Sequence, residues 1–265
     1  MGVRDRVDAL AIVRSVLAAD YACPENAFSS DQMVVSSADP RSGGRRYARP
    51  DRMFEISTMG ASVVVHCHHE HAAWVDDTLR SFSRDSMFSA TTIALLAGYL
   101  GAYSMELAGP EPNYVCPVAD LRLSDPPSGV EIDLVGTRDV HKLYRHQGFP
   151  NALSYRADAL APDILATVAT RGGEVLGIAG ATADSESMWQ IGIDVAPHAR
   201  STGIGRALVS RLTQEVLRAG RLPYYAHDIA NIPSGALAMS VGYRLAWIEL
   251  HGKDRGQKQP SPKPA

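Results

Sequence analysis

The segment that runs from Gln190 to Leu208 constrains the fold of this chain more than any other stretch of the sequence. Its first residues are typical of a strand, and Pro197 ends the pairing of that strand because proline has no amide hydrogen. A tight Arg-Ser-Thr-Gly-Ile-Gly loop follows at residues 200–205, here called the glycine-rich loop, and opens into an amphipathic helix. One face of this helix therefore packs on a sheet and the other meets water.

The glycine-rich loop has the features of a phosphate site. The first turn of a helix presents amide groups without intrahelical partners at the positive end of the helix dipole. Gly203 and Gly205 lack a Cβ atom, so a diphosphate can approach the backbone closely, and Arg200 can add a charge-assisted hydrogen bond. A dinucleotide-binding loop would need glycine in place of Leu208, and the Gly-Lys-Ser/Thr ending of a P-loop is absent from the sequence. A surface helix that merely begins with glycines is the structural alternative.

Composition narrows the functional classes. The chain of 265 residues has a net charge of −3, with 45% hydrophobic and 21% charged residues, so no strongly basic surface for nucleic acid is expected. The longest weakly polar stretch, residues 92–102, is too short to span a bilayer, so no membrane partner is expected. Three widely spaced cysteines favour neither a disulfide framework nor a metal knuckle. Reduced thiols in a cytoplasmic protein are the simplest interpretation.

A proline-rich stretch at residues 124–129 is the candidate domain boundary. It predicts an N-terminal α+β subdomain at 1–125, a second domain at 126–251 and a disordered tail at 252–265. In the N-terminal half, the hydrophobic spacing predicts helices at 4–19, 70–82 and 90–107 and a hairpin at 54–66. The second domain has the predicted order strand, short helix, three strands, helix, strand, helix, strand. These elements lie at 130–135, 139–146, 163–170, 174–183, 188–195, 203–219, 224–228, 233–241 and 243–250.

Two motifs in the second domain resemble a known family. The first is Arg200-x-x-Gly203-x-Gly205 after a Val-x-Pro strand end, and the second is Asn231, Ser234 and Gly242-Tyr243 at the family's spacing. Together with the order of elements, they resemble the GNAT N-acetyltransferase superfamily over residues 129–251, about half of the chain. The resemblance implies an α/β (α+β) fold of GNAT type, with a mixed, mostly antiparallel, splayed sheet flanked by helices.

The resemblance also implies a reaction and a cofactor. Acetyl-CoA, as co-substrate, would lie between the splayed strands, and a primary amine of a small molecule or peptide would attack the thioester directly in a ternary complex. The pantetheine arm would pair with the strand edge near 193–195. The residues that the resemblance assigns to cofactor binding are Ile193, Asp194, Val195, Arg200, Ser201, Thr202, Gly203, Ile204, Gly205, Arg206, Asn231 and Ser234.

The family's usual acid–base positions are empty in this chain. They hold Ala238, Ala226 and Trp189, none of which can transfer a proton. An acetyl-CoA-dependent N-acetyltransferase remains the first functional hypothesis, because an amine can shed its proton to water and alignment supplies much of the rate. A non-catalytic module that binds or senses acyl-CoA is the alternative.

Three side chains remain as catalytic candidates. Tyr224 and Asp228 share a strand face with Ala226, and Ser234 could reach the thiol or the cofactor. Tyr224 could instead be a packed aromatic, and Asp228 a turn residue or helix cap beside Asn231.

Two further clusters stand out in the N-terminal half. The histidine-rich segment 66–71 has zinc-type donors but not the spacing of a helical zinc pair, so a polar turn between strand and helix is favoured and no metal site is predicted. The arginines at 41, 45, 46 and 49 are expected in a solvated loop, with the adenosine 3′-phosphate or an acidic substrate as other partners. The N-terminal half itself could cover the acceptor cleft, be a degenerate second copy of the fold, or bind another protein. Homodimerisation is also left open.

Overall fold

The computed structural model describes residues 2–46, 54–156 and 159–254. The chain divides into two compact units. The C-terminal unit comprises Tyr114–His227, Asn231–Leu245 and the N-terminal residues up to Ile12. The N-terminal unit comprises Val13–Asn113, Asp228–Ala230 and the residues from Ala246 onward.

In chain order, the helices and strands are α1 (Arg6–Asp20), β1 (Val34–Ser36), β2 (Phe54–Thr58), β3 (Val64–Cys67), α2 (His69–Leu79), α3 (Arg84–Met87), α4 (Ala90–Gly101), β4 (Met105–Val115), β5 (Glu131–Gly136), β6 (Asp163–Arg171), β7 (Glu174–Thr182), β8 (Met188–Val195), α5 (Ile204–Arg218), β9 (Leu222–Ala226), α6 (Ile232–Val241) and β10 (Arg244–Asp254). Short 3₁₀ helices lie at Glu25–Ser29, Val118–Asp120, Val140–Arg145 and Pro197–Ala199.

The N-terminal unit is built on strands in the order β1-β3-β2-β10-β4. Strands β2 and β3 form the predicted antiparallel hairpin, β1 runs parallel to β3, and β10 pairs antiparallel with β2. Helices α2 and α4 supply apolar side chains to the core of this unit, among them Val75, Leu79, Leu96 and Leu100. The predicted helices at 4–19 and 70–82 are present as α1 and α2.

Some of the predicted elements of the N-terminal unit are wrong. The helix predicted to reach residue 107 ends at Gly101, and Ser104 has a positive φ of 61° before β4 begins. Strands β1 and β4 were not predicted at all. Residues 252–254, assigned to the tail, are the last residues of β10, and the rest of the tail lies outside the described residues. The domain boundary at 125/126 stays a prediction.

Arg45 lies in a buried ionic network of the N-terminal unit rather than in a solvated loop. Its side chain is 1% exposed, and its guanidinium lies 2.6 Å from Asp20 Oδ2 and 2.9 Å from Glu249 Oε2. The Trp247 ring centroid lies 5.5 Å from the guanidinium carbon, and Trp247 Nε1 donates to Glu249 Oε2. The expectation of a solvated arginine is therefore wrong for Arg45, because two carboxylates distant in sequence offset the cost of burying its charge.

The other arginines of this group differ from Arg45. Arg46 is exposed, whereas Arg41 donates to the backbone carbonyls of Ala22 and Cys23. Arg49 lies outside the described residues.

The three cysteines are free and buried. Burial raises the pKa of the Cys23 and Cys67 thiols to about 11 and that of Cys116 to about 12. A neutral thiol is a poor nucleophile, so these residues are packing groups. Across the described part of the chain, no helix has both the length and the hydropathy required to cross a bilayer.

From β5 to β10 the chain follows the predicted order of elements, with a 3₁₀ helix at Val140–Arg145 as the short helix. The last strand of that order, β10, belongs from Ala246 onward to the N-terminal unit. Strands β5, β6, β7 and β8 are antiparallel neighbours, and β9 pairs parallel with β8, so the sheet is mixed and mostly antiparallel. Helices α5 and α6 pack on one face through a buried cluster that includes Ile204, Leu208, Leu212 and Val241.

The segment 149–153 covers the other face of this sheet. Phe149, Ala152 and Leu153 pack in a cluster with Ile178 of β7. The backbone comes so close that a Cβ atom on Gly180 would lie 1.9 Å from Ala152 O, and one on Gly192 would lie 2.0 Å from Asn151 O. Glycine is therefore required at both positions by contact with the backbone of this segment.

Candidate active site

Strands β8 and β9 pair only where they begin. Their register joins Met188 to Leu222, Trp189 to Pro223 and Gln190 to Tyr224. From there β8 continues to Val195 and β9 to Ala226, and no further pair joins these two stretches. The two strands thus diverge, and the gap between residues 191–195 and 225–226 is here called the fork. This is the splay that the resemblance implies.

The backbone groups of Ile193 and Val195 face the fork. Ala196 N donates to Leu176 O beside β7 at 2.8 Å, whereas Ser187 O accepts from Leu222 N beside β9 at 2.9 Å. Because peptide groups alternate in direction along a strand, the odd-numbered residues of β8 direct theirs toward β9. Beyond Gln190, β9 no longer supplies partners, so β8 offers an open edge to a ligand that can pair with a strand.

The glycine-rich loop lies directly after this edge. The 3₁₀ helix Pro197–Ala199 is followed by two residues of positive φ, Ser201 at 61° and Gly203 at 93°. Helix α5 then begins with Gly203 as its N-cap and without a side-chain cap. Its first helical bond runs from Ala207 N to Gly203 O, so the amides of residues 204–206 precede the helical ladder and can bind an anion.

The side chains of the loop remain accessible at this helix start. Arg200, Ser201, Thr202 and Arg206 are exposed residues. Arg200 Nε donates to Val195 O at 3.2 Å, which places the guanidinium beside the open edge of β8. Thr202 Oγ1 donates to Ala199 O at 2.7 Å and fixes the loop conformation. The loop therefore combines free amides with two exposed positive charges, those of Arg200 and Arg206, which is the chemistry that a diphosphate requires.

Helix α6 closes the site on the side of α5. Asn231 is its N-cap, and Asn231 Oδ1 accepts from Ser234 N at 3.3 Å. A Cβ atom on Gly205 would lie 3.4 Å from Leu237 Cδ2 and 3.5 Å from Val195 Cγ2. The start of α5, the end of β8 and the second turn of α6 thus meet at Gly205.

Tyr225 is a residue of the fork that the sequence analysis missed. Its hydroxyl lies 2.8 Å from Ser234 Oγ, and the side chain is otherwise buried. Burial raises the pKa of Tyr225 and the charge of Asp194 adds to this, while the hydrogen bond with Ser234 acts in the opposite direction. The alternation of side chains along β9 could have identified Tyr225, because it lies on the opposite strand face from Tyr224.

The three catalytic candidates are placed differently by the structure. Ser234 is half-buried beside Tyr225. Tyr224 is fully buried and donates a hydrogen bond to the Asp184 carboxylate, a placement that favours the packed-aromatic interpretation. Asp228 is exposed after the end of β9 and belongs to the N-terminal unit.

Asp194 is engaged with the segment that covers the other sheet face. Its carboxylate accepts from Asn151 N at 2.6 Å, from Asn151 Nδ2 at 2.8 Å and from Ala152 N at 3.2 Å. These hydrogen bonds anchor residues 151–152 on the sheet face opposite to α5 and α6. The peptide group of Asp194 is directed toward β7, away from the open edge.

The histidine-rich segment divides between two environments of the N-terminal unit. His66 Nε2 contacts Ala38 O at 3.0 Å, whereas His71 Nδ1 contacts the Tyr99 hydroxyl at 2.8 Å. Burial lowers the pKa of His71. Within residues 2–46, 54–156 and 159–254, no three His, Cys, Asp or Glu residues are grouped so as to hold a metal ion.

Three solved structures are similar to this chain at low sequence identity. A GCN5-related N-acetyltransferase from Kribbella flavida is 20% identical with a TM-score of 0.48, and the match covers 61% of this chain and 64% of that one. A GCN5-related N-acetyltransferase-like protein from Streptococcus suis is 15% identical with a TM-score of 0.45, covering 62% and 69%. A Drosophila protein is 16% identical with a TM-score of 0.49, covering 94% and 90%. The chain thus spans less than two thirds of the length of the Kribbella protein.

No curated protein matches the chain. The family model described as "Acetyltransferase (GNAT) family" matches residues 137–243, which include the fork, the glycine-rich loop and α6. Residues 137–243 of this chain therefore form an acetyltransferase domain of the GNAT family.

Proposed function

We propose that this protein is an acetyl-CoA-dependent N-acetyltransferase that moves an acetyl group to a primary amine by direct attack in a ternary complex. The observation that carries the proposal is the end of pairing between β8 and β9 after Gln190 and Tyr224, directly beside the free amides of residues 204–206. An unpaired strand edge next to an anion site fits a ligand with an amide-containing arm and a diphosphate at one end.

The residues of this site fit acetyl-CoA group by group. The amides of 204–206, with Arg200 and Arg206, would hold the pyrophosphate. The peptide groups of Ile193 and Val195 would pair with the amides of the pantetheine arm, as a neighbouring strand would. Asn231 and Ser234, at the start of α6, would contribute polar side chains to the same ligand.

The reaction needs positioning more than it needs a strong base. When bound, acetyl-CoA supplies a thioester whose carbonyl carbon accepts the amine. Backbone N–H groups along the open edge of β8 would polarise the thioester carbonyl, and the fork would align the two reactants. Because Ala226, Ala238 and Trp189 carry no acid–base group, an amine proton lost to water is consistent with the residues present.

The acceptor is proposed at the level of chemical class. It is a small molecule or peptide with a primary amine. The proposed acceptors do not include nucleic acid or membrane lipids. The protein is proposed to act in the cytoplasm. Homodimerisation is retained as part of this proposal, without a surface assigned to it.

A non-catalytic acyl-CoA sensor is the second candidate. It is favoured by the same three positions, since alanine and tryptophan stand where the family usually carries proton-transfer groups. The two candidates share the cofactor site and differ only in turnover, so binding and thiol release must be measured separately.

The test is isothermal titration with acetyl-CoA, followed by thiol release with a panel of amines that includes spermidine, glucosamine, lysine and a peptide with a free N-terminus. The transferase predicts binding and amine-dependent release above the background without amine. Binding without release would favour the sensor, and no binding at millimolar acetyl-CoA would exclude both. Lys142→Ala, an exposed change in the 3₁₀ helix Val140–Arg145, is a control that should leave binding unchanged.

A further inference from the structure

We infer that Tyr225, hydrogen-bonded to Ser234, is the acid that protonates the sulfur of CoA as the thioester breaks. The inference rests on the proposed function and assigns a catalytic residue where the family's usual positions hold none. It starts from the juxtaposition of two hydroxyls, Tyr225 Oη and Ser234 Oγ, 2.8 Å apart at the fork.

Tyr225 lies at the apex of the fork. It is the residue of β9 that follows Tyr224, the last residue paired with β8. Along β8, the path from Val195 back to Ile191 is four residue steps of about 3.3 Å, or about 13 Å. An extended pantetheine arm that starts at the glycine-rich loop spans this distance, so its sulfur end would lie near the apex.

The hydroxyl pair lies on the sheet face that carries the cofactor loop. Tyr225 belongs to the buried cluster formed with α5 and α6, whereas Tyr224 points to the opposite face and donates to Asp184. Ser234 and Leu237 are one helical turn apart on α6, and Leu237 is the side chain nearest to Gly205. The pair is thus one turn of α6 away from the point where β8, α5 and α6 meet.

The environment of Tyr225 keeps its phenol protonated near neutral pH. Burial and the negative charge of Asp194 both raise the pKa of Tyr225 above its ordinary value. A phenol of this kind donates a hydrogen bond to charge that develops on a neighbouring atom, and a group that does so typically accelerates a reaction by about 10² to 10⁴.

The proton balance of the step closes without another reactant. The amine nitrogen forms a bond to the carbonyl carbon, the carbon–sulfur bond breaks, and sulfur takes the proton of Tyr225 Oη. The proton that the new amide nitrogen loses returns to the tyrosinate through Ser234 Oγ and water. The net result is one N-acetyl amine and one CoA thiol.

The test compares Tyr225→Phe with Tyr243→Phe as a matched control. Tyr243 is a buried member of the same cluster, its ring centroid is 5.8 Å from that of Tyr225, and its hydroxyl pairs with Thr213 Oγ1 at 2.7 Å. Both changes remove one buried hydroxyl and keep the ring. Hydroxylamine serves as the acceptor, because it is largely neutral near pH 7 and needs neither a base nor specific recognition.

For Tyr225→Phe we expect a kcat about 100-fold below wild type and an acetyl-CoA affinity within about twofold of wild type. For the control Tyr243→Phe we expect a kcat within about threefold of wild type. A second readout needs no turnover: the thiol of bound CoA, followed by its thiolate absorbance, should ionise about one pH unit higher in Tyr225→Phe than in wild type. Ser234→Ala should show a smaller change in the same direction and carries the test if Tyr225→Phe does not fold.

Each contrary outcome is distinct. A Tyr225→Phe protein with near-wild-type kcat and unchanged thiol ionisation would overturn the inference while the proposed function stands. Weaker acetyl-CoA binding with unchanged kcat would also overturn it and make the pair a binding element. Absence of acetyl-CoA binding in wild type would instead overturn the proposed function.

Discussion

Gly205→Ala separates the role of this glycine in the fold from the role proposed for it at the cofactor. The added Cβ would lie 3.4 Å from Leu237 Cδ2 and 3.5 Å from Val195 Cγ2, which is ordinary van der Waals contact. Alanine also favours a helix over glycine by up to about 1 kcal/mol. The variant should therefore keep the wild-type melting temperature to within about 3 °C, since 1 kcal/mol corresponds to about 2–4 °C in a chain of this size.

Binding of acetyl-CoA should respond in the opposite way. If the diphosphate approaches the backbone at Gly205, the same methyl group stands in its path, and the dissociation constant should rise at least about tenfold, or about 1.4 kcal/mol. Isothermal titration and thermal denaturation measure the two effects on one sample. Gly98→Ala is the control, because Gly98 lies in α4 with open space around it, so that variant should gain stability without a change in affinity. A Gly205→Ala protein with wild-type affinity would refute the placement of the diphosphate.

Three other expectations concern stability and the thiols. Arg45→Met should lower the free energy of unfolding by about 3–5 kcal/mol in urea titrations, because it removes the buried guanidinium that contacts the carboxylates of both Asp20 and Glu249. A loss below about 1 kcal/mol would show that this ion pairing is dispensable. The pKa of His71 is lowered in the folded protein, so as the pH falls the unfolded chain takes up this proton first. The contribution of His71 to the free energy of unfolding is therefore fully present above pH 6.5 and is lost progressively below it. In denaturation measured at several pH values, His71→Gln should flatten this decline, and parallel profiles of variant and wild type would contradict the assignment. The buried cysteines should not react with Ellman's reagent in the native protein, whereas all three should react in denaturant; rapid native labelling would contradict their burial.

The local sequence pattern was sufficient to predict the two elements on either side of the glycine-rich loop. Strand β8 and helix α5 could be predicted because alternation, a proline and a pair of glycines mark their ends within one short segment. Strand β4 was missed because its Gly109, Pro110 and Pro112 interrupt any strand pattern, and its identity as a strand depends on partners distant in sequence. The helix predicted through residue 107 was too long because the first apolar residues of β4 continue the helical spacing.

The surroundings of the proposed catalytic residues depend on contacts that no local sequence pattern contains. Tyr224 looked suitable because it shares a strand face with Ala226, but its partner Asp184 is 40 residues away in sequence. Tyr225 and Ser234 come together only once α6 packs against the end of β9. Arg45 has the sequence context of a loop residue, and its partner Glu249 is 204 residues away in sequence.

The most direct test of the account is a crystal structure of the protein with CoA bound. It should show the pyrophosphate on the amides of residues 204–206, the pantetheine arm paired with Ile193 and Val195, and the sulfur within hydrogen-bonding distance of Tyr225 Oη. A structure in which saturating CoA lies elsewhere, or in which β8 and β9 pair along their whole length with no ligand between them, would contradict the central claim that the fork is the acyl-CoA site.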